Sequence, residues 1–384
     1  GAHGPQGRER CGAARLGGTP ELTAATSRQD PVLDRVRSRA RADAIAVGEL
    51  LLVEGKFQHR KLAEIAGSAP ALQHIVSLTA PDNGLANWST RFVVAADWLA
   101  AAAATPVPER HPDAGMLASI VYTSGTTGRP KGVMLTHDNL LWNAFYASQC
   151  ADFGSHEVFL SFLPMSHTLE RTGGYSLPML IGAEVAYARS IAQLGQDLQD
   201  IRPTVLISVP RIYERVYGRI HDGLAKKGRL AGMLFKLAGR VGWRRFERAQ
   251  GRARWHPGLL LWPLLHGLVA GNVVARLGGR LRLAISGGAA LSPEIARVFI
   301  GLGVPIYQGY GLTETSPVVC VNRPDSNVPA SIGPPLPGVE VKIGANDELL
   351  TRSRCVMRGY WQDDAATRAM IDADGWLHSR DQVS

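Results

Sequence analysis

The sequence predicts an α/β fold with mixed or mostly parallel sheets covered by helices, and three observations predict it. Short apolar runs bounded by Gly, Pro, Ser or Asp recur at 117–122, 132–135, 158–163, 184–187, 204–209 and 281–285. Helix-like stretches separate several of them, the alternation that sets parallel strands side by side with helices on their faces. The composition suits a large buried core, since 45% of the 384 residues are hydrophobic and 20% are charged.

Residues 1–30 show little apolar periodicity and are rich in Gly, Arg, Ser and Thr, so a disordered tail is expected there. Length alone would allow two or three domains in the chain. Between 32 and 99, apolar runs at 44–53 and 74–78 alternate with helix-like stretches such as 61–65, which suggests βα units. The alanine-rich 96–104 should be helical, and the proline-bearing 105–113 should be a loop. Ser292, Pro293 and Glu294 read as a helix start: serine caps, proline takes the first helical position, and glutamate favours the positive end. The stretch 257–275 is the most apolar long segment, about as long as the shortest membrane spans. Pro257, Pro263, His266, Asn272 and its glycines favour a buried or surface-lying helix instead.

The formal charge of +9 is unevenly spread. Residues 211–282 hold 16 Lys or Arg against 3 acids, a local balance of +13, and the remainder sums to −4. Such a block suits an anionic membrane or nucleic acid, and a solvated helix face is the plain alternative. Cys11, Cys150, Cys320 and Cys355 lie far apart, with no pair at metal-ligand spacing. Free thiols in a reducing compartment are therefore expected. The first twenty residues have no apolar core, so no signal peptide is expected.

The densest chemistry is the run Tyr122-Thr123-Ser124-Gly125-Thr126-Thr127-Gly128-Arg129-Pro130-Lys131-Gly132, which follows one expected strand and opens another. Its glycines let the backbone turn tightly and bring N–H groups to an anion. Its hydroxyls add donors, and Lys131 adds a point charge for phosphate. A Walker A loop needs four residues between its glycines and a terminal Gly-Lys-Ser/Thr, so a P-loop ATPase is disfavoured. The plain reading is a flexible turn between strands.

This run resembles the phosphate-binding loop of the adenylate-forming superfamily, and three further motifs follow in that family's order. Ser286-Gly287-Gly288-Ala289-Ala290 is similar to the adenine-binding turn, and Gln308-Gly309-Tyr310-Gly311-Leu312-Thr313-Glu314-Thr315 to the second nucleotide motif. Gly375-Trp376-Leu377-His378-Ser379-Arg380-Asp381 resembles the segment whose aspartate holds the ribose hydroxyls. The chemistry suits these parts: Gly287 and Gly288 leave room for a flat base, Tyr310 offers a ring for stacking, and Glu314 is a hard oxygen ligand for Mg²⁺. Alone, Glu314 could be a surface acid and Tyr310 a half-buried core ring.

The resemblance implies, over 31–384, part of the large N-terminal domain of the adenylate-forming fold, with a basic helical insertion about 211–280. It implies nucleotide binding by Ser124, Gly125, Thr126, Thr127, Gly128, Lys131, Gly288, Ala289, Ala290, Tyr310, Gly311 and Asp381. Thr313, Glu314 and His167 become the implied catalytic residues, and Glu314 with Thr126 the implied Mg²⁺ holders. The segment Ser166-His167-Thr168-Leu169-Glu170-Arg171 and the later Val209-Pro210-Arg211-Ile212-Tyr213-Glu214 resemble the long-chain fatty acid–CoA ligase branch. His167 read by itself is a hydrogen-bonded structural histidine.

The expected reaction joins a fatty acid to AMP from ATP and then passes the acyl group to coenzyme A. The rival expectations are a ligase for a medium-chain or aryl acid, and an inactive remnant that only binds. The expected partners are a long-chain fatty acid and an anionic membrane touched peripherally at its inner, cytoplasmic face; no nucleic acid beyond ATP or AMP is expected. Three departures from the family pattern stand out. The phosphate loop comes early and the chain stops at Ser384, so the sequence reads as truncated at both ends, without the small C-terminal domain and its catalytic lysine. Arg380 also stands where the pattern has glycine, at a position that favours positive φ.

Overall fold

The computed structural model describes residues 50–53, 59, 62, 72–80, 92–102, 111–123 and 130–383. The tail expected at 1–30, most of the helix expected at 61–65, the loop at 105–110, Cys11 and the run Ser124–Arg129 lie outside these residues.

Two compact units divide the chain. In the first, β1 (Leu50–Val53), β2 (His74–Ser77) and β3 (Phe92–Val94) form a parallel sheet in that order, and α1 (Ala95–Ala102) follows. Val53, Leu62, Leu72 and Ile75 make its small core.

The second unit, from Ala114 onward, begins with a hairpin of β4 (Leu117–Thr123) and β5 (Lys131–Thr136). Thr136 then caps α2 (His137–Ser148): its hydroxyl accepts from the Asn139 N–H at 3.1 Å, and the Asn139 side chain accepts from the Thr136 N–H at 2.9 Å. Next come β6 (Val158–Ser161), a helical run with a π-turn at Arg171–Ser176, β7 (Glu184–Tyr187), α3 (Leu194–Ile201) and β8 (Val205–Ser208). Two long helices follow, α4 (Pro210–Lys227) and α5 (Arg229–Ala249), then β9 (Leu283–Ser286), α6 (Pro293–Gly301), β10 (Ile306–Gly311) and β11 (Val318–Val321).

The central sheet has the order β11-β10-β9-β8-β6-β7. All its pairings are parallel except β10 with β11. The parallel arrangement explains why these strands read as continuous apolar runs: every residue of β8 is buried, so both faces need apolar side chains. Helices α4, α5 and α6 cover one side through a core that includes Leu206, Tyr213, Phe235, Ala284 and Phe299. Helix α5 lies close against the end of α6. A Cβ at Gly242 would run into the Gly301 carbonyl oxygen, so this crossing needs glycine on both sides.

Two antiparallel sheets complete the unit. β12 (Glu340–Ile343), β13 (Glu348–Arg352) and β15 (Leu377–Gln382) form one, and β14 (Gly359–Tyr360) pairs onto β5 in the other; α7 (Asp364–Met370) lies between β14 and β15 in the chain. This agrees with the mixed, mostly parallel α/β expectation. One local expectation needs correction. Ser292 sits at the cap position of α6, but its side chain makes no capping hydrogen bond; Pro293, which has no N–H to satisfy, begins the helix unaided.

The apolar stretch Pro257–Arg276 is helical throughout, passing through 3₁₀, α and π turns. It is 20 residues long with a mean hydropathy of 1.6, enough by length and composition to cross a membrane. Leu265, Ala270 and Val273 pack into the core beside α5, while Leu260, Leu264 and Leu268 are exposed.

Candidate active site

A cleft of 560 Å³ opens where β5, β10, β14 and β15 bring their ends together. The hairpin register pairs Thr123 with Lys131, so strand pairing fixes the lysine at the cleft wall. Its ammonium lies 4.8 Å from the centre of the Tyr360 ring. The Tyr360 hydroxyl donates to Glu314 Oε1 at 2.7 Å. Lys131, Tyr360 and Glu314 thus form one polar corner, built from three separate elements. Burial, and then the neighbouring Glu314 carboxylate, push the Tyr360 phenol up, so it keeps its proton and remains a donor.

Across the cleft, the Tyr310 hydroxyl donates to Asp381 Oδ2 at 2.6 Å. Burial and this bond also push the Tyr310 phenol up. The Asp381 N–H donates to Ser379 Oγ at 3.1 Å, which holds the carboxylate near the ring. Thr313 opens the 3₁₀ turn that ends β10 and lines the cleft between these two corners.

The turn after β9 is tied to β10 by Gln308, whose Oε1 accepts from the Leu291 N–H at 2.9 Å. Gly288 has φ +78°, a conformation that favours glycine, and lines the cleft with Gly287. Ala289 and Ala290 are exposed and stand outside the lining. Gly311 lines the cleft.

The remaining wall is apolar, with Leu169, Leu177, Ile207, Leu283, Ile285 and Tyr307. His167 stands beside it and has two local roles. Its Nδ1 accepts from the Leu169 N–H at 3.2 Å, capping the next turn, and its ring lines the cleft. The residue is exposed to the cleft, and desolvation by the surrounding wall lowers its pKa, which favours the neutral ring with its proton on Nε2. The capping role is the structural reading of His167, and its place in the cleft wall leaves it available to the functional one.

Of the residues expected from sequence, the structure brings Lys131, His167, Gly288, Tyr310, Gly311, Thr313, Glu314 and Asp381 to this cleft. Ser124, Gly125, Thr126, Thr127 and Gly128 lie outside the described residues. Tyr360 was not anticipated. It lies 46 positions from Glu314, and only the pairing of β14 onto β5 brings it to the site.

A family model described as "AMP-binding enzyme" matches residues 22–361. The chain belongs to the AMP-binding enzyme family. It is 36% identical over 281 residues to long chain acyl-CoA synthetase 6, peroxisomal, of Arabidopsis thaliana, a match covering 69% of this chain and 39% of that protein. It is 32% identical over 340 residues to the long-chain-fatty-acid–CoA ligase FadD15 of Mycobacterium bovis, covering 86% of this chain and 54% of that protein. The chain therefore spans roughly half or less of the length of these relatives. Among solved structures, the anthranilate CoA ligase AuaEII in complex with anthranoyl-AMP shares the fold, with a TM-score of 0.65 at 20% identity over 88% of this chain and 57% of that one.

The departure at Arg380 from the AMP-binding family pattern has a structural answer. Arg380 has φ +63°, so the backbone keeps the conformation that glycine would adopt freely. Its N–H donates to Glu348 Oε1 at 2.8 Å, which helps to hold that shape, and its side chain joins the cleft wall.

The donor set fits a hard divalent cation held mainly by a substrate. Glu314 offers a carboxylate with one oxygen engaged by Tyr360, and phosphate oxygens would supply the remaining ligands. Among the described residues no cluster of three His, Cys, Asp or Glu forms a site that would hold a metal by itself.

Proposed function

We propose that this chain carries the nucleotide- and acyl-binding core of an ATP-dependent long-chain fatty acid–CoA ligase. The carboxylate of the acid attacks the α-phosphorus of ATP, forming acyl-AMP and releasing pyrophosphate. The CoA thiol then attacks the acyl carbon, forming the thioester and releasing AMP. The observation that carries this reading is one cleft with Lys131, Thr313, Glu314 and Asp381 at its polar end and Leu177, Ile207 and Leu283 along its apolar wall. The long-chain choice rests on the names of the relatives and on the Ser166–Arg171 segment.

In this reading Lys131, Thr126, Thr127 and Thr313 neutralise and orient the phosphates, and Asp381 takes the ribose hydroxyls. Tyr310 lies beside the base, and Gly288 leaves it room. Mg²⁺, held by Glu314 and assisted by Thr126, would neutralise phosphate charge. The protein needs no nucleophile, because the substrate carboxylate attacks; its contribution is positioning and charge stabilisation. The test combines calorimetry with AMP and Mg·ATP and ATP–pyrophosphate exchange with palmitate, octanoate and benzoate. Tight nucleotide binding with palmitate-dependent exchange is the expected result. Preference for octanoate or benzoate would shift the substrate class, binding without exchange would mark a remnant, and no nucleotide binding would sink the reading.

A membrane contact belongs to the same proposal. Beside the +13 block, Leu230, Met233, Leu260, Leu264 and Leu268 are all more than half exposed. Of the nearby tryptophans, Trp255 is exposed, while Trp243 and Trp262 pack toward the core beneath Arg297 and Arg245. Each basic residue near an anionic surface contributes about 1 kcal/mol, so a handful suffices for reversible binding. The protein should co-sediment with phosphatidylserine vesicles, less so in high salt, and not with phosphatidylcholine vesicles. Equal indifference to both lipids would leave a solvated helix face, and with it no reason to place the enzyme at the cytoplasmic side of a membrane.

A further inference from the structure

A second cavity, of 890 Å³, lies away from the catalytic cleft, between α4, α5 and the start of α6. Arg229, Lys236, Arg240 and Arg297 line it, against the single carboxylate of Glu294. That carboxylate already accepts from the Tyr217 hydroxyl at 3.3 Å. The Arg297 guanidinium lies over the Trp243 ring, 5.1 Å from its centre. Among the described residues, Arg229, Lys236 and Arg240 form no ion pair. The floor is aromatic: Phe235 is buried, and the Tyr217 and His221 rings meet at a tilt of 50° with centres 4.3 Å apart.

The space is as specific as the charge. Arg229, Gly232, Lys236, Gly239 and Arg240 recur at helical spacing on α5, so its glycines and cations share one face. A Cβ at Gly232 would meet nothing within 4 Å. Glycine inside a helix is unfavourable relative to alanine. A Cβ at Gly239 would likewise meet nothing within 4 Å, so packing demands neither glycine, and their missing side chains hollow the cavity beneath the cations.

We propose that this groove is a binding site for a phosphate monoester carried on an apolar body, the headgroup end of an anionic lipid. Converging cations with one partly engaged counter-charge recognise a doubly charged phosphate. Leu230 and Met233, 70% and 67% exposed on the same helix, offer apolar contact for the body. A merely solvated basic face requires neither the cavity nor its glycine. The site stands on these residues and does not depend on the ligase reading, since none of them lines the cleft at β10.

The experiment is calorimetric titration of the full chain with dihexanoyl phosphatidic acid as a monomer. AMP is titrated first, which reports on the nucleotide cleft separately and then fills it. Inorganic phosphate and dihexanoyl phosphatidylcholine are the comparison ligands. Saturable one-to-one binding of the phosphatidic acid is expected, with none of the phosphatidylcholine. Lys236→Gln with Arg240→Gln should weaken it at least ~10-fold, the effect of losing charge-assisted hydrogen bonds. Gly232→Leu should weaken it comparably while keeping every charge, because leucine fills the hollow and favours the helix. Tighter binding of phosphatidic acid than of inorganic phosphate assigns the site to a lipid. Equal binding keeps the phosphate site and assigns it to a soluble ester. No saturable binding, or full affinity in a folded Gly232→Leu protein, would overturn the proposal.

Discussion

Glu314→Gln should lower Mg·ATP affinity by at least about tenfold while leaving the melting temperature almost unchanged. The two effects separate because the proposed metal role of Glu314 needs its charge, whereas its contact with Tyr360 needs only an acceptor. One oxygen accepts from the Tyr360 hydroxyl at 2.7 Å, and a glutamine carbonyl can accept the same bond. The negative charge is what a glutamine cannot supply, and a hard divalent cation bridging phosphates needs it. Glu314→Ala should behave differently. It also leaves the buried Tyr360 hydroxyl without its acceptor, which costs about 1–3 kcal/mol of stability. The backbone bond from the Met357 N–H to the Glu314 carbonyl, at 2.8 Å, survives in both variants, so neither should unfold the turn. Calorimetry with Mg·ATP, and with AMP in the absence of Mg²⁺, checks the assignment. A glutamine variant with full Mg·ATP affinity would remove Glu314 from the metal site.

The polar corner around Glu314 also shows where sequence reading stops. Residues 184–187 form a strand with the bounds read from sequence, because a short apolar run between turn residues marks its own ends. The run 158–163 overshoots, since β6 stops at Ser161 while Phe162 and Leu163 go on to pack as ordinary core side chains. Apolar character alone does not distinguish a strand from the buried chain that follows it. Contiguous motifs led to residues that line the cleft at Tyr310, Thr313 and Glu314, but not at Ala289 and Ala290, which stand outside it. The site was not legible where partners meet only through the sheet, as with Tyr360 beside Lys131, or through helix packing, as with Arg240 on α5 and Glu294 on α6. The Ser292 cap differs again: residue type marks the cap position, which Ser292 occupies, without ensuring that its side chain makes the bond.

Glu170 should make stability fall as pH rises from about 4.5 to about 7, and Glu170→Gln should remove that fall. The carboxyl is 1% exposed. Ser161 Oγ donates to Oε1 at 2.5 Å, while the buried Oε2 has no hydrogen-bond partner. Burial therefore raises its pKa from 4.5 to about 7, against the lowering effect of the Ser161 bond. In the unfolded chain the group ionises near 4.5, and in the folded chain only near 7. The folded state thus gains fully from the protonated form below 4.5 and loses that gain as pH climbs through 7. The loss is on the order of 3 kcal/mol for a shift of this size. Two other groups act in or near this window. His167, lowered by desolvation, contributes stability above its ordinary 6.5 and loses it as pH falls, opposing Glu170. In Glu157, burial raises the pKa, but hydrogen bonds from Arg282 and Thr204 outweigh it, so the net shift is down and its contribution is lost only below 4.5. The difference between wild type and Glu170→Gln therefore isolates Glu170 better than either curve does. Glutamine also buries an unpartnered amide in place of Oε2, which lowers stability by a similar amount at every pH. The slope, and not the level, is the readout. Urea midpoints for both proteins from pH 4.5 to 8 measure it, and parallel curves across that range would show that Glu170 is ionised throughout.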